Sequence, residues 1–427
     1  MHQYSGILGI IIFLLIAYLL SNNRKKIPYK TVIFGLVTQI MIAVFMLKTP
    51  IGVGIFKAVN KFFVNLLGYS DKGAKFLFGS LVDSQDIGAT LAFQVLPVIV
   101  FVSALMGILV YLGVIQFIVK LLARVFYKAL KITGVEAFIS SLLIFMGIET
   151  ITGVKEYIKK MNESRIFTIM TTFMATIAGS VMLAYMSFGA EAGHLLTASL
   201  MSAPAAILIS KIMIPDTETG ETDPLEKIQM EKTEKNIIEA AANGTSQGLS
   251  LSLQIGAMLI AFISIIYLLN DIVGISGYTL EKLVGYALSP VAFLVGIPIN
   301  ESVDVGQMLG IKTIFTEFLS YLQLKTHIAE ITLSPRTIAI TTYALCGFTH
   351  FGSIAILIGG IGTLVPTQKP VVSRLAIKAL IGGFLATMMT AAITSLLLTT
   401  DVPTAGFLSA ISTPADLILN SAIMMLF

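Results

Sequence analysis

The chain has 427 residues, of which 56% are hydrophobic and only 12% charged, and it carries a formal net charge of +4. Soluble domains average roughly 25% charged residues, so a water-soluble protein of this length is excluded. The alternating pattern of an outer-membrane barrel is also absent, which leaves an all-α integral membrane protein.

The first apolar run, Ile7 to Leu20, has no basic segment before it and no small-residue cleavage site after it. It reads as a retained helix and not as a signal peptide. The span covers about 5–20, and Arg24, Lys25, Lys26 and Lys30 behind it place that loop in the cytoplasm. A second span, 31–47, runs outward. Residues 51–84 are mixed and glycine-containing, as in an external or interfacial helix followed by a loop. A third span, 93–112, runs inward. Over 115–132, Lys120, Arg124, Lys128 and Lys131 line one helix face opposite apolar residues, the pattern of a helix lying in the cytoplasmic interface. An ordinary basic linker is the alternative reading.

Residues 135–160 are apolar at the centre and flanked by positive charge on both sides, which predicts a hairpin entering from the cytoplasm and returning to it. Its tip falls on Met146-Gly147-Ile148-Glu149-Thr150. Span 4, about 166–187, is interrupted by Phe173-Met-Ala-Thr-Ile-Ala-Gly-Ser180, and span 5 covers 194–213. The polar stretch 215–235 holds seven acidic residues and three lysines and reads as a solvated cytoplasmic linker. Span 6 is expected over 248–269. A second hairpin, entered from outside, is expected over 280–322 with its turn at Asn300-Glu301-Ser302. Span 7, 338–364, is broken by Leu345-Cys-Gly-Phe-Thr-His-Phe-Gly-Ser353, and span 8 covers 376–398. Residues 400–427 are apolar around Pro403 and Pro414 and fit either a further interfacial helix or a partial span.

Hairpin, broken span and closing span therefore occur twice with opposite entry sides, an inverted repeat of 135–213 against 280–398. Irregular backbone at membrane depth survives only inside protein or beside a water-filled cavity, and a matched pair of interrupted helices marks the binding site of a transporter. The chain divides accordingly. Residues 1–134 form N-terminal scaffold spans and an interfacial helix, and 135–213 form the first transport repeat. A linker follows at 214–247, then a scaffold span at 248–272. The second repeat takes 273–400, and 401–427 has no assigned place.

Few residues carry chemistry. Glu317 is an acid inside an apolar helix, where a charge is costly and usually faces a cavity. His350 lies in the second break, where an imidazole suits ligand contact or proton transfer as well as a structural hydrogen bond. Glu149 and Thr150 stand at a tip where free backbone N–H groups suit ligand oxygens. Thr176 and Ser180 in the first break are ion or proton-coupling candidates with Glu317 and His350; Ser180 and Ser353 also fit simple bonds to carbonyls one turn back. No phosphate loop, metal cluster or nucleophile triad is present in the sequence, so neither an enzyme nor a bound cofactor is expected, and an ion gradient must drive any transport.

Several ordered stretches resemble the concentrative nucleoside transporters: Ala175–Ser180, Met201-Ser-Ala-Pro-Ala-Ala206, Ala240-Ala-Ala-Asn-Gly244, Gly256-Ala-Met-Leu-Ile-Ala-Phe262, Glu317-Phe-Leu-Ser-Tyr321, Leu333-Ser-Pro-Arg336 and Tyr343-Ala-Leu-Cys-Gly-Phe348. The resemblance implies eight spanning helices, two opposed re-entrant hairpins and a homotrimer in a bacterial cytoplasmic membrane. It also implies a ribose site on Glu317, His350 and Ser353 with Phe348 beside them, and a base site on Gly147, Ile148, Glu149 and Thr150. The chain departs from the family pattern where Ile148 replaces a glutamine and His350 an asparagine. Leu143 stands where sodium-coupled relatives can carry a sodium-ligating asparagine. The expected function is therefore a symporter importing nucleosides or nucleoside-like solutes, with H+ favoured over Na+. The alternatives are a symporter for another small polar solute, a passive channel or a non-transporting sensor; no nucleic-acid partner is expected.

Overall fold

The computed structural model describes residues 4–83, 90–216, 225, 228, 230, 234–274 and 277–398, with Glu149 described by its backbone alone. The C-terminal segment 401–427 and most of the acidic linker lie outside the described residues. Among the described residues every regular element is helical, and seven helical stretches are long and apolar enough to cross a membrane. The all-α expectation holds.

Helix α1 (Ser5–Leu19) leads through a basic turn to α2 (Tyr29–Lys48). Pro50 then opens α3 (Pro50–Phe78), and the Thr49 hydroxyl accepts from the Gly52 N–H at 3.0 Å, as an N-cap should. Helix α4 (Leu96–Tyr111) follows a π-helical turn, Leu91–Val95. The stretch 50–83 has membrane-spanning length. Its neighbours show where it lies: Phe56 stands edge-on to His194 at 4.8 Å, Leu66 clusters with Val98, Val102 and Leu183, and Phe78 tilts against Phe93 at 5.0 Å. Helix α3 thus packs against the stretch 91–111 and against residues of two later helices. Helix α5 (Val114–Leu130) buries Ile115, Val119, Ala123, Phe126 and Leu130 along one stripe and leaves Arg124 exposed.

The first repeat contains α6 (Gly134–Leu142), a 3-10 turn at Ile148–Thr150 and α7 (Ile151–Lys159). It continues with α8 (Glu163–Ala175), α9 (Gly179–Met186) and α10 (Ala192–Met213). Thr133 and Glu136 form a reciprocal capping box that starts α6. Each hairpin arm, at nine residues, is only about 14 Å long, too short to cross a hydrocarbon core of about 30 Å.

Helix α11 (Ile237–Val273) has 37 residues and starts eleven residues before the expected span, because the Asn236 side chain caps it by accepting from the Glu239 N–H at 2.8 Å. Part of the expected linker is thus helix. Helix α11 packs on α4 through small residues. A Cβ on Gly107 would stand 2.5 Å from the Ala240 carbonyl, and one on Gly248 would stand 2.8 Å from the Val100 Cα. Close backbone approach of this kind is how helices associate where lipid offers no hydrophobic drive.

The second repeat corrects one expectation. Helices α12 (Leu280–Leu294), α13 (Ser302–Ile314) and α14 (Glu317–Ala329) occupy the region read as a two-armed hairpin. The chain turns at 300–302 as expected, and a further break at Phe315–Thr316 separates α13 from α14. Thr316 is extended (φ −164°) and its hydroxyl accepts from the Phe318 N–H at 3.3 Å, so α13 stops and α14 restarts without glycine or proline. Residues 300–302 only turn the chain from α12 into α13. There Glu301 accepts from the Ser334 N–H at 3.1 Å and from its hydroxyl at 3.0 Å, pinning the start of α15 (Pro335–Leu345). The series closes with α16 (Phe351–Leu364) and α17 (Lys369–Leu397).

Both long helices break as expected, at Thr176–Ala178 and at Cys346–His350. The breaks touch: a Cβ on Gly347, whose φ is +155°, would lie 2.9 Å from the Met174 carbonyl and 3.1 Å from the Ala175 carbonyl carbon. Gly383 of α17 closes the same crossing, where a Cβ would collide with the Met174 side chain. Gly383→Ala is therefore expected to lose about 1–3 kcal/mol of stability by overpacking. Gly359→Ala, with nothing within 4 Å, should leave the unfolding temperature in detergent unchanged or slightly raised; equal behaviour of the two variants would remove the tight crossing.

Candidate functional site

Glu317 opens α14 and is 3% exposed, and its carboxylate is held from two directions. The Tyr185 hydroxyl on α9 donates to Oε1 at 2.6 Å, while His350 Nε2, at the N-cap of α16, lies 3.2 Å from Oε2. The latter is a close approach and not a formed hydrogen bond, because Nε2 pairs with the Ser353 hydroxyl at 2.8 Å. Oε2 of Glu317 and Nδ1 of His350 are consequently buried with no hydrogen-bond partner in the protein. Buried polar atoms are paired in the great majority of cases, and these two neighbouring exceptions make Glu317 and His350 candidates for ligand contact.

Glu317 and His350 line a cavity of about 410 Å³, within the range of small-molecule sites. Its walls come from both hairpin tips and both breaks: Gly147, Ile148, Ser180, Glu317, Phe348 and His350 all line it. Phe348, two residues from His350, also lines it and is tilted against Phe173 at 5.5 Å between ring centres. Asn243, Gln247 and Gln254 of α11 line it too, as do Gln116 and Glu234.

Thr150, Thr176 and Ser353 are not among the residues that line it. Thr150 is buried and its hydroxyl donates to the Gly147 carbonyl at 3.0 Å, shaping the tip. Ser353 stands behind His350. The Thr176 hydroxyl returns to the Thr172 carbonyl at 2.8 Å, a bond one turn back within its own helix. The side chain of Glu149 lies outside what the structure describes. Ile148 wedges against Gly360, where a Cβ would stand 2.6 Å from its Cγ1, so the tip is seated on α16. The Phe145 carbonyl accepts from the Gly179 N–H at 2.8 Å and ties the same tip to the start of α9.

Two buried groups escaped the sequence reading. Tyr185 looks like an ordinary core aromatic on an apolar helix, and only the fold brings it to Glu317. Lys312, fully buried on α13, donates to the Ala344 carbonyl at 2.7 Å, at the end of α15 where helix carbonyls are left free. A lysine five residues before an intramembrane acid was the available signal. Among the described residues no group of three or more His, Cys, Asp or Glu side chains could hold a metal ion.

Comparison with known proteins agrees with this geometry along the whole chain. Residues 8–81 match the family described as Na+ dependent nucleoside transporter N-terminus, 92–192 the nucleoside recognition (gate) family, and 194–395 the Na+ dependent nucleoside transporter C-terminus. An uncharacterized transporter of Haemophilus influenzae is 41% identical over 409 residues, covering 93% of this chain and 98% of its own. The nucleoside permease NupC of Helicobacter pylori is 35% identical over 407 residues, covering 92% and 97%. The structure of CNTnw in an inward-facing substrate-bound state superposes with a TM-score of 0.88 at 34% identity, covering 93% of this chain and 98% of that one. These relatives are transporters and not enzymes. With two broken helices crossing at a cavity and three family matches in register, the chain belongs to the concentrative nucleoside transporter family.

Proposed function

We propose that the protein is a proton-coupled symporter that imports nucleosides or close analogues across the bacterial cytoplasmic membrane, working as a homotrimer. The observation that carries the substrate assignment is the unpaired Glu317 Oε2 and His350 Nδ1 beside the Phe348 ring at one cavity. A carboxylate with an imidazole suits sugar hydroxyls, and an aromatic face suits a planar base. Gly147, Ile148, Glu149 and Thr150 then form the tip over the base, and Ser353 supports His350.

Proton coupling is favoured by what surrounds the first break. A hard cation needs several oxygen ligands, and Leu143, 1% exposed, contributes only hydrocarbon; Thr176 and Ser180 are the hydroxyls of that break. The Glu317–His350 pair, at 3.2 Å, provides two groups able to carry a proton in the second. The test is uptake of labelled uridine and adenosine into proteoliposomes under imposed gradients. Accumulation driven by an inward proton gradient at zero sodium is expected. Accumulation that follows sodium and ignores pH would overturn the coupling assignment, and uptake that never exceeds equilibration would indicate a passive pore.

A further inference from the structure

Tyr185 does not touch the cavity, yet it makes the one full hydrogen bond to the acid that does. Its ring is completely buried, stacks on Tyr321 at 4.2 Å with an 18° interplanar angle, and meets Phe318 edge-on at 5.4 Å. The Tyr321 hydroxyl is itself fixed by the Thr342 carbonyl at 2.9 Å, so the stack has little freedom to turn. Tyr185 belongs to the first repeat and Glu317 to the second, and they lie 132 residues apart. The phenol therefore reaches the carboxylate from behind, across the repeat boundary.

Resting on the nucleoside reading above, we infer that Tyr185 is a positioning residue for substrate selection. By holding Oε1 it fixes the rotation of the Glu317 carboxylate, so that Oε2, on the His350 side, is the one oxygen left to take a substrate hydroxyl. A carboxylate free to turn could offer either oxygen, or both, to a pair of neighbouring hydroxyls. The anchored one is directional. The neighbouring hydroxyl of a ribose then falls to His350 Nδ1, the other unpaired polar atom of the site. Each hydroxyl is read by a different residue, and the transporter distinguishes nucleosides that lack one from those that lack the other.

The experiment compares wild type with Tyr185→Phe in proteoliposomes, using uridine, 2′-deoxyuridine and 3′-deoxyuridine. Wild type is expected to penalise one deoxy form by roughly tenfold or more in KM, the usual effect of removing one hydrogen bond to a charged group. Tyr185→Phe keeps the ring and its stack on Tyr321. Its KM for uridine should rise by about tenfold with kcat within about twofold. The more heavily penalised deoxy form should lose little further, so the ratio between the two deoxy forms falls toward one. A residue that merely packs would weaken all three ligands alike, and an unchanged ratio would overturn the inference while leaving the nucleoside reading intact. Recovery of Tyr185→Phe only as aggregate would mark a structural role and overturn it as well. Failure of wild type to take up or bind any of the three, with uptake of a different polar solute, would instead remove the nucleoside reading and this inference with it.

Discussion

Glu317→Gln is expected to reduce substrate uptake by ten- to a hundredfold or more while the protein remains folded in the membrane. The carboxylate accepts from Tyr185 at 2.6 Å, leaves Oε2 without a hydrogen bond, and belongs to a residue that lines the cavity. Hydrogen bonds to a charged acceptor contribute about 1.5–3 kcal/mol each, and every 1.4 kcal/mol is about tenfold in binding. Glutamine preserves the shape, and its carbonyl can still take the Tyr185 hydroxyl, but an NH2 group then faces the cavity where an acceptor stood. Folding should survive because the cap of α14 belongs to Thr316 and not to Glu317. Uptake by reconstituted protein, read beside a thermal unfolding curve, separates the two effects. Near-normal uptake would take Glu317 out of the site and with it the proposed sugar contact.

The second large effect concerns stability. Lys211, on the last turn of α10, donates to Glu136 Oε1 at 2.5 Å and to the Ser164 hydroxyl at 3.2 Å; the side chains of the ion pair are 4% and 1% exposed. Breaking a buried pair by removing one partner typically costs about 3–5 kcal/mol, because the other charge is left without compensation. Lys211→Met should therefore lower the unfolding temperature sharply. The double variant Lys211→Met with Glu136→Gln should recover much of the loss, since the glutamine keeps the helix cap without a stranded charge. If both variants unfold together at the low temperature, the ion pair is not the source of the effect. Substrate affinity, measured on whatever protein remains folded, should be little changed.

The two breaks were legible because glycine, serine and threonine interrupt runs where lipid or core would take leucine, and the Thr176 and His350 neighbourhoods broke where the composition changed. The first hairpin tip was legible for the same reason. The break at 315–316 was not. Phe315 and Thr316 hold no glycine or proline, and the helix stops there through a side-chain cap, whereas Asn300-Glu301-Ser302 offered an obvious polar turn that serves only to join α12 to α13. Local composition reports where a chain can turn, and not which turn faces the substrate. Likewise Glu317 and His350 stood out as polar groups in apolar surroundings, but Tyr185 did not, since a tyrosine on an apolar helix is ordinary until its partner is known. Lys211 and Glu136, 75 residues apart, could be paired only by the fold, and the closeness of α11 to α4 explains why its first turns could pass for linker.

The contact of Gly347 with Met174 and Ala175 fastens the two halves of the cradle to each other at the point where each is weakest. Neither half can swing open on its own hinge without prying that joint apart.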